Sequence, residues 1–130
     1  MVANDASNLS LIIQGPFNDH ICNVLHYYEN QFPLMEIVII SWGRDYSKYK
    51  KNLSKKTANI KIIIAEDPGG QISANGEKLN VNRQLVSTKL GIQNTSRKYC
   101  LKTRSDIKLN LNKTIDQYNK FNRVNLTNTQ

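Results

Sequence analysis

The segment Glu36–Trp42 constrains the fold of this chain more than any other stretch of its sequence. It reads Glu-Ile-Val-Ile-Ile-Ser-Trp, and its middle is a continuous run of β-branched apolar residues. Such a run is typical of a strand that is buried on both faces, as strands are in a parallel sheet covered by helices. The segment therefore predicts a central strand of a parallel sheet.

The rest of the chain alternates between the periodicities of strands and helices. Further strands are predicted at Leu9–Gln14, at Ile60–Ala65 and over Tyr99–Leu109, where the last enters a polar turn at Arg104-Ser105-Asp106. Helices are predicted from Asn18 to about Gln31, from Asn80 or Asn82 to about Asn94, and over 113–124. Residues 71–80 contain few apolar side chains and predict a flexible loop. This order of elements predicts an α/β fold with a mainly parallel sheet and flanking helices.

The predicted helices at Asn18–Gln31 and Asn80–Asn94 each carry an apolar stripe. The stripe of the first helix is Ile21, Val24, Leu25, Tyr28 and Phe32, and that of the second is Val81, Leu85, Thr88 and Ile92, widened by Leu90 and Val86. Apolar residues that recur at three- and four-residue intervals share one side of a helix. We therefore expect each stripe to be the side that packs against the sheet.

Length and composition favour one domain over residues 1–130. The chain has 18 Lys plus Arg against 10 Asp plus Glu, which gives a formal net charge of +8. No apolar run approaches the ~20 residues that a membrane-spanning helix needs, and no secretory signal is visible, so we expect a cytoplasmic protein. Five lysines lie within Lys48–Lys56, a cluster that is either a solvated surface or a contact for nucleic acid or an anionic membrane.

Polar, glycine or turn residues follow all four predicted strands. These strand ends are Gln14–Phe17, Ser41–Trp42, Asp67–Gly70 and Lys102–Asp106. In open parallel sheets, ligands bind beyond the carboxyl ends of the strands. We therefore expect the four segments to outline one crevice.

Several common site motifs are missing from the sequence. No Gly-x-Gly-x-x-Gly follows the first strand and no Gly-Lys-Ser/Thr occurs, which disfavours Rossmann-type dinucleotide binding and a P-loop. His20 and His26 are six residues apart and fall on different sides of a helix, so a shared metal is not expected. Cys22 and Cys100 lack Cys-x-x-Cys spacing, which argues against a zinc ribbon or a disulfide scaffold.

Asp67 and Asp106 each follow a predicted strand. A hard divalent cation prefers oxygen ligands and often joins one or two carboxylates to a phosphate, so either residue can serve such a cation. The alternatives are structural: Asp67 begins a turn, and Asp106 pairs with Arg104 or Lys108 at the surface.

The predicted helix start, Asn80–Gln84, is a candidate phosphate site. The free N–H groups and the positive dipole end of a helix favour an anion, and Arg83 adds a planar, permanently charged donor fork. The alternative is an N-cap followed by an exposed first turn.

Five motifs occur in an order that resembles a known family. They are Gln14-Gly15-Pro16, Phe32-Pro33 followed by Glu36–Trp42, Asp67-Pro68-Gly69, Asn80-Val81-Asn82-Arg83-Gln84 with Ser87-Thr88, and Tyr99–Asp106. Together they resemble the WavE lipopolysaccharide-synthesis family, over about Leu9 to Ile107. The resemblance implies a GT-A-like, Rossmann-like fold and transfer of a sugar from a nucleotide-sugar, in the synthesis of bacterial lipopolysaccharide or surface polysaccharide.

The resemblance also implies a set of site residues. Substrate-binding positions are Gln14, Gly15, Pro16, Asp67, Asn82, Arg83, Gln84 and Lys102, and catalytic positions are Arg104 and Asp106. Such enzymes often hold Mn²⁺ or Mg²⁺ with an Asp-x-Asp motif, whereas this chain reads Arg104-Ser105-Asp106 at that place. Two alternatives follow: Asp106 holds the metal alone, or Arg104 neutralises the phosphate and makes the metal dispensable.

The partners implied by the resemblance are a nucleotide-sugar donor and a saccharide or lipid-linked acceptor, with peripheral contact at the inner membrane. Only residues 107–130 follow Asp106, so the chain is expected to correspond to the N-terminal, donor-binding half of such an enzyme. The alternative function is a non-catalytic basic module that binds an anionic membrane or, less favoured, nucleic acid through Lys48–Lys56.

Overall fold

The structure, a computed structural model, describes residues 6–17, 20–43 and 59–128, with the backbone alone for 122–128. The described strands are β1 (Leu9–Gln14), β2 (Glu36–Trp42), β3 (Ile60–Ala65), β4 (Gln71–Ile72), β5 (Lys78–Leu79) and β6 (Tyr99–Arg104). The described helices are α1 (Ile21–Gln31), α2 (Val81–Gln93) and α3 (Leu111–Asn128).

Four strands form one parallel sheet in the order β3-β2-β1-β6. In β1, Ile13 lies opposite Ile39 of β2 on one side and opposite Thr103 of β6 on the other. This arrangement is an α/β, Rossmann-like fold and confirms the predicted parallel sheet with flanking helices. The bounds predicted for β1, β2 and β3 are also confirmed.

Alternate residues of the two central strands enter two separate apolar clusters. Leu11 and Ile13 of β1 pack with α1 and with Leu111 and Ile115 of α3. Ile12 lies on the opposite face, where it joins residues of β2, β3 and α2. Both faces of the sheet are therefore covered, as the β-branched run of β2 predicts.

Helix α1 matches its prediction along its apolar side. The predicted stripe residues Ile21, Val24, Leu25 and Tyr28 are all buried, and the helix ends at Gln31 before Pro33. The described helix begins at Ile21 with His20 as its N-cap, whereas the predicted cap, Asn18, lies outside the described residues.

Helix α2 has the predicted extent but a different packing side. Val81, Leu85 and Ile92 of the predicted stripe are exposed, whereas Ser87 and Gly91 are buried. Leu90, which widened the predicted stripe, does pack against the sheet. A Cβ at Gly91 would lie 2.5 Å from Cγ2 of Ile12. The helix approaches β1 so closely that only small residues fit between them, and close packing outweighs the apolar pattern here.

The structure corrects the secondary structure predicted for residues 71–80 and the ends predicted for β6 and α3. Residues 71–80 are not simply a loop, since β4 and β5 pair as an antiparallel hairpin with Gly76 in its turn at φ +80°. Strand β6 ends at Arg104, at the predicted polar turn, and does not continue to Leu109, and α3 extends beyond the predicted 113–124. Ser73 stabilises the hairpin turn, because its N–H donates to Glu77 O at 2.9 Å and its Oγ accepts from Glu77 N–H at 3.1 Å.

A buried carboxylate joins the strands at the amino edge of the sheet. Oε1 of Glu36 accepts hydrogen bonds from Ser10 Oγ at 2.7 Å and Ser96 N–H at 2.8 Å. Its Oε2 accepts from Ser96 Oγ at 2.6 Å and pairs with Lys61 Nζ at 3.2 Å. Burial alone raises the pKa of Glu36, but the hydrogen bonds from Ser96 and Ser10 and the contact with Lys61 outweigh it and lower the pKa to about 2.

Among the helices that the structure describes, none combines the length and the apolar character that crossing a membrane requires.

Candidate active site

The carboxyl edge of the sheet carries an open cavity of about 340 Å³. Its lining comes from the ends of all four strands or the residues just after them, and from the start of α2. The lining residues are Gln14, Gly15, Pro16, Trp42, Asp67, Asn80, Arg83, Gln84, Ser87 and Arg104. The strand ends that the sequence singles out therefore do meet in one crevice, as parallel strands require.

The structure brings together most, but not all, of the predicted site residues. Those that line the cavity are Gln14, Gly15, Pro16, Asp67, Arg83, Gln84 and Arg104. Asn82, Lys102 and Asp106 lie outside its lining. Asp106 is nevertheless adjacent, because it contacts Arg104 directly.

The floor of the cavity is the junction between β1 and β6. The N–H of Ser105 donates to Gln14 O at 2.7 Å, and Ser105 Oγ donates to Pro16 O at 2.6 Å. Gly15 makes this contact possible, since it has φ +119° and a Cβ there would lie 2.8 Å from Ser105 Oγ. Both the backbone angle and the space favour glycine at this position.

Arg83 enters the cavity from the first turn of α2, and its guanidinium group is held by hydrogen bonds to two residues, Asp67 and Asn80. Its Nε and NH2 groups donate to the two carboxylate oxygens of Asp67 at 2.8 and 3.0 Å, and NH1 donates to Asn80 Oδ1 at 3.0 Å. These bonds engage three of its five N–H donors. The hydrogen bonds to Asp67 raise the pKa of Arg83 above its already high ordinary value, so it is a permanent cation.

The β4–β5 hairpin explains why Arg83 reaches Asp67, sixteen residues away. Asp67 follows β3 and forms a turn in which its Oδ1 accepts from Gly69 N–H at 2.9 Å. The hairpin then returns the chain, so that α2 begins beside that turn. The structural alternative for Asp67, that it begins a turn, is thus what the structure shows, together with its ion pair.

Arg104 ends β6 and lies on the other side of the cavity. Its Nε and NH2 groups donate to the two oxygens of Asp106 at 3.0 and 2.8 Å. The Arg104 side chain is 63% exposed and that of Asp106 is 43% exposed, so the pair lies in water. Of the alternatives for Asp106, pairing with Arg104 is the one that the structure shows.

Lys102 contacts α2 instead of lining the cavity. Its Nζ donates to Thr88 Oγ1 at 2.5 Å, and partial burial lowers its pKa. This contact joins β6 to α2 and so contributes to the position of the helix that carries Arg83. Asn82 lies on the first turn of α2, next to Arg83.

Three further residues line the cavity: Trp42, Asn80 and Ser87. Trp42 ends β2 and is half-buried, and it lies in one of the strand ends predicted to outline the crevice. Asn80 belongs to the predicted phosphate site at the helix start, whereas Ser87 had no predicted role in the site. Ser87 donates its Oγ proton to Gln14 Oε1 and so fixes that side chain against α2. Asn80 makes no side-chain bond that caps the helix, because its Oδ1 accepts from Arg83.

The described residues at this edge do not form a good set of metal ligands. Both oxygens of Asp106 are engaged by Arg104, and both oxygens of Asp67 are engaged by Arg83. Within the part of the chain that the structure describes, no group of three His, Cys, Asp or Glu residues is placed to hold a metal ion. A cation on either aspartate would have to displace a guanidinium, whereas both arginines already have the donor geometry that binds an anion.

The basic cluster Lys48–Lys56 lies outside the described residues. The alternative function that depends on it, binding of nucleic acid or an anionic membrane, therefore stays a prediction.

Comparison with known proteins places most of the chain in one family. The model of a family described as WavE lipopolysaccharide synthesis matches residues 9–130. No curated protein and no solved structure matches the chain.

Proposed function

This chain belongs to the WavE lipopolysaccharide synthesis family, and from that membership and the cavity at the carboxyl edge we propose that it is a glycosyltransferase, or the donor-binding part of one. A role in lipopolysaccharide synthesis follows from the family. The proposal adds the reaction: transfer of a sugar from a nucleotide-sugar to a saccharide or lipid-linked acceptor. The observation that carries it is the convergence of Arg83 and Arg104 on one cavity beside Trp42.

The chemistry of the cavity suits a nucleotide-sugar. Its volume of about 340 Å³ lies at the lower end of the roughly 300–1,000 Å³ that is usual for small-molecule sites. Two guanidinium groups are suited to the diphosphate, and the half-buried indole of Trp42 offers an aromatic surface to a nucleobase. Gln14 and Gln84 add amide groups that can bond to the ribose or the sugar.

The two arginines supply what the reaction requires electrostatically. When the bond between the sugar and the diphosphate breaks, negative charge accumulates on the departing nucleoside diphosphate. A cation at that place stabilises the transition state more than the ground state, which is the condition for catalysis. In the proposed enzyme Arg83 and Arg104 hold the diphosphate and stabilise it as it leaves.

The proposal includes a place of action. The acceptor in such a pathway is a growing saccharide or a lipid-linked one, so we propose that the protein works in the cytoplasm, in peripheral contact with the inner membrane. The net charge of +8 favours attraction to an anionic membrane face.

A calorimetric titration tests the proposal. The purified chain is titrated with UDP-, GDP- and CMP-sugars, each with Mn²⁺ and again with EDTA, and with inorganic pyrophosphate for comparison. We expect one nucleotide-sugar to bind at micromolar concentration and more tightly than pyrophosphate, because base and sugar add contacts to those of the diphosphate. Equal, weak binding of all ligands by the folded chain would contradict a nucleotide-sugar site.

A further inference from the structure

We propose that the pairs Arg83–Asp67 and Arg104–Asp106 are themselves the diphosphate site, and that the two aspartates compete with the diphosphate for the arginines instead of holding a metal. The inference rests on the proposed function for its choice of ligand, and it identifies which groups of that site the ligand contacts. It assigns Asp106 a role opposite to that of a metal ligand. Removing its charge should therefore strengthen anion binding.

The hydrogen bonds of the two arginines already have the geometry of anion binding. Each guanidinium presents its Nε and NH2 groups to the two oxygens of one carboxylate, at distances of 2.8 to 3.0 Å. Two oxygens of a phosphate can take the place of those two carboxylate oxygens, because the planar fork of arginine binds both groups in the same way. Each aspartate thus occupies the donor fork that a phosphate would use, Asp67 in the lining of the cavity and Asp106 just outside it.

The two pairs reach the same cavity from different elements. Arg83 belongs to the first turn of α2, and Arg104 ends β6 beside β1, where it lies opposite Gln14. Both arginines line the cavity, and Gln14 lies there as well. A diphosphate that fills the cavity can therefore contact both guanidinium groups, which a single carboxylate cannot do.

The aspartates are held weakly enough to be displaced. The Arg104–Asp106 pair is largely exposed, and in the other pair Arg83 and Asp67 are 38% and 33% exposed. Exposed ion pairs contribute little stability, because water solvates both partners well. An aspartate that loses its arginine here remains in contact with water, so its displacement does not leave a buried charge unpaired.

A metal at Asp106 would require a larger change. The cation would have to take the carboxylate from Arg104 and would lie beside that positive guanidinium. That guanidinium would repel the cation, whether or not a phosphate supplied the remaining ligands. Arginine in the first position of Arg104-Ser105-Asp106 thus supplies the positive charge that a metal would otherwise bring.

The test compares Asp106→Asn with Asp116→Asn, using inorganic pyrophosphate and UDP as probes in EDTA-treated buffer. Asp116 lies on α3 in an exposed pair with Lys120, so its variant makes the same change of charge away from the cavity. We expect Asp106→Asn to bind pyrophosphate about threefold to fivefold more tightly than wild type, because it removes an exposed competing charge. Asp116→Asn should bind as wild type does.

A second variant, Arg104→Gln, tests the inference even if Asp106→Asn does not fold. Arg104→Gln should weaken metal-free pyrophosphate binding by at least about tenfold, since a charge-assisted contact is lost. Circular dichroism checks that each variant is folded. Binding of UDP that requires Mn²⁺ and disappears in Asp106→Asn would overturn the inference, and so would failure of folded wild type to bind either probe.

The outcomes separate this inference from the proposed function. If Asp106→Asn tightens pyrophosphate binding but no nucleotide-sugar binds better than pyrophosphate, the anion site stands and the glycosyltransferase assignment fails. If one nucleotide-sugar binds tightly through Mn²⁺ and Asp106, the assignment stands and this inference fails.

Discussion

The two edges of the parallel sheet differ in how far their charged groups are exposed to solvent. At the amino edge, Glu36 is 4% exposed and its two oxygens accept three hydrogen bonds and one ion pair. At the carboxyl edge, the charges of Asp67, Arg83, Arg104 and Asp106 pair with one another in partly exposed positions around a cavity. The Glu36 carboxylate is buried, although its partners Ser96 and Lys61 are exposed, whereas the charges of the other cluster are open to a ligand.

This difference separates groups that stabilise the fold from groups that are available for binding. A buried carboxylate with every oxygen satisfied is expensive to disturb, because losing a partner leaves a buried charge unsatisfied and losing the carboxylate leaves the buried Ser10 hydroxyl without its acceptor. Exposed ion pairs can exchange partners at little cost. We therefore expect substitutions at the amino edge to change stability and substitutions at the carboxyl edge to change binding.

The largest expected effect is that of Glu36→Ala. It leaves Ser10, Ser96 and Lys61 without their common acceptor, and we expect the free energy of unfolding to fall by ~3 kcal/mol. Urea denaturation measures the loss, and pyrophosphate titration of the folded fraction should give the affinity of wild type. If Glu36→Ala weakened pyrophosphate binding without loss of stability, the claim that the amino edge serves stability and the carboxyl edge serves binding would be contradicted.

The second-largest expected effect is a loss of folding stability at acid pH, caused by protonation of Glu36. The pKa of Glu36 is about 2 in the folded protein, below its ordinary value of 4.5, so its contribution is full above pH 4.5 and is lost as pH falls toward 2. Between pH 7 and pH 3 this group alone should remove ~2 kcal/mol of stability. Thermal melts of wild type and Glu36→Gln across this range measure it, and the variant should lose less stability than wild type. If the melting temperatures of wild type and Glu36→Gln fall equally with pH, Glu36 is not the group that makes the fold sensitive to acid.

Arg83→Gln should produce the smallest change in stability and a clear change in binding. We expect the affinity for pyrophosphate to fall about tenfold while the melting temperature stays close to that of wild type, because the side chain is exposed. Lys120→Gln is the matched control, since it removes one positive charge from an exposed ion pair on α3. If both variants weaken binding equally, net charge and not the cavity determines affinity.

Three strands were predicted with the correct bounds from their sequence. The Ile- and Val-containing segments of β1, β2 and β3 gave these bounds because such residues favour strands, even in β3, which is only partly buried. The packing side of α2 was predicted wrongly, because the approach of Gly91 to Ile12 depends on where the helix sits on the sheet. That position is a tertiary property, which helical periodicity does not record.

The residues of the candidate site were also predicted only in part. Topology alone predicted that Gln14, Asp67 and Arg104 would meet, since parallel strands end at one edge. The ion pair between Asp67 and Arg83 was not predicted, because it requires the β4–β5 hairpin, whose strands of two residues each are too short to show alternation. The buried pairing of Glu36 was also missed, since its partners come from three distant segments of the chain.

Fluorescence of Trp42 tests the central claim most directly, because it is the one tryptophan of the chain and lines the cavity. The measurement is its emission during titration with the nucleotide-sugar that binds best in calorimetry, in wild type and in Arg83→Gln/Arg104→Gln. A site at the carboxyl edge predicts a saturable change in emission, with the calorimetric midpoint, that is lost in the double variant. Calorimetric binding with unchanged Trp42 emission and full affinity in the double variant would place the ligand elsewhere and contradict the account.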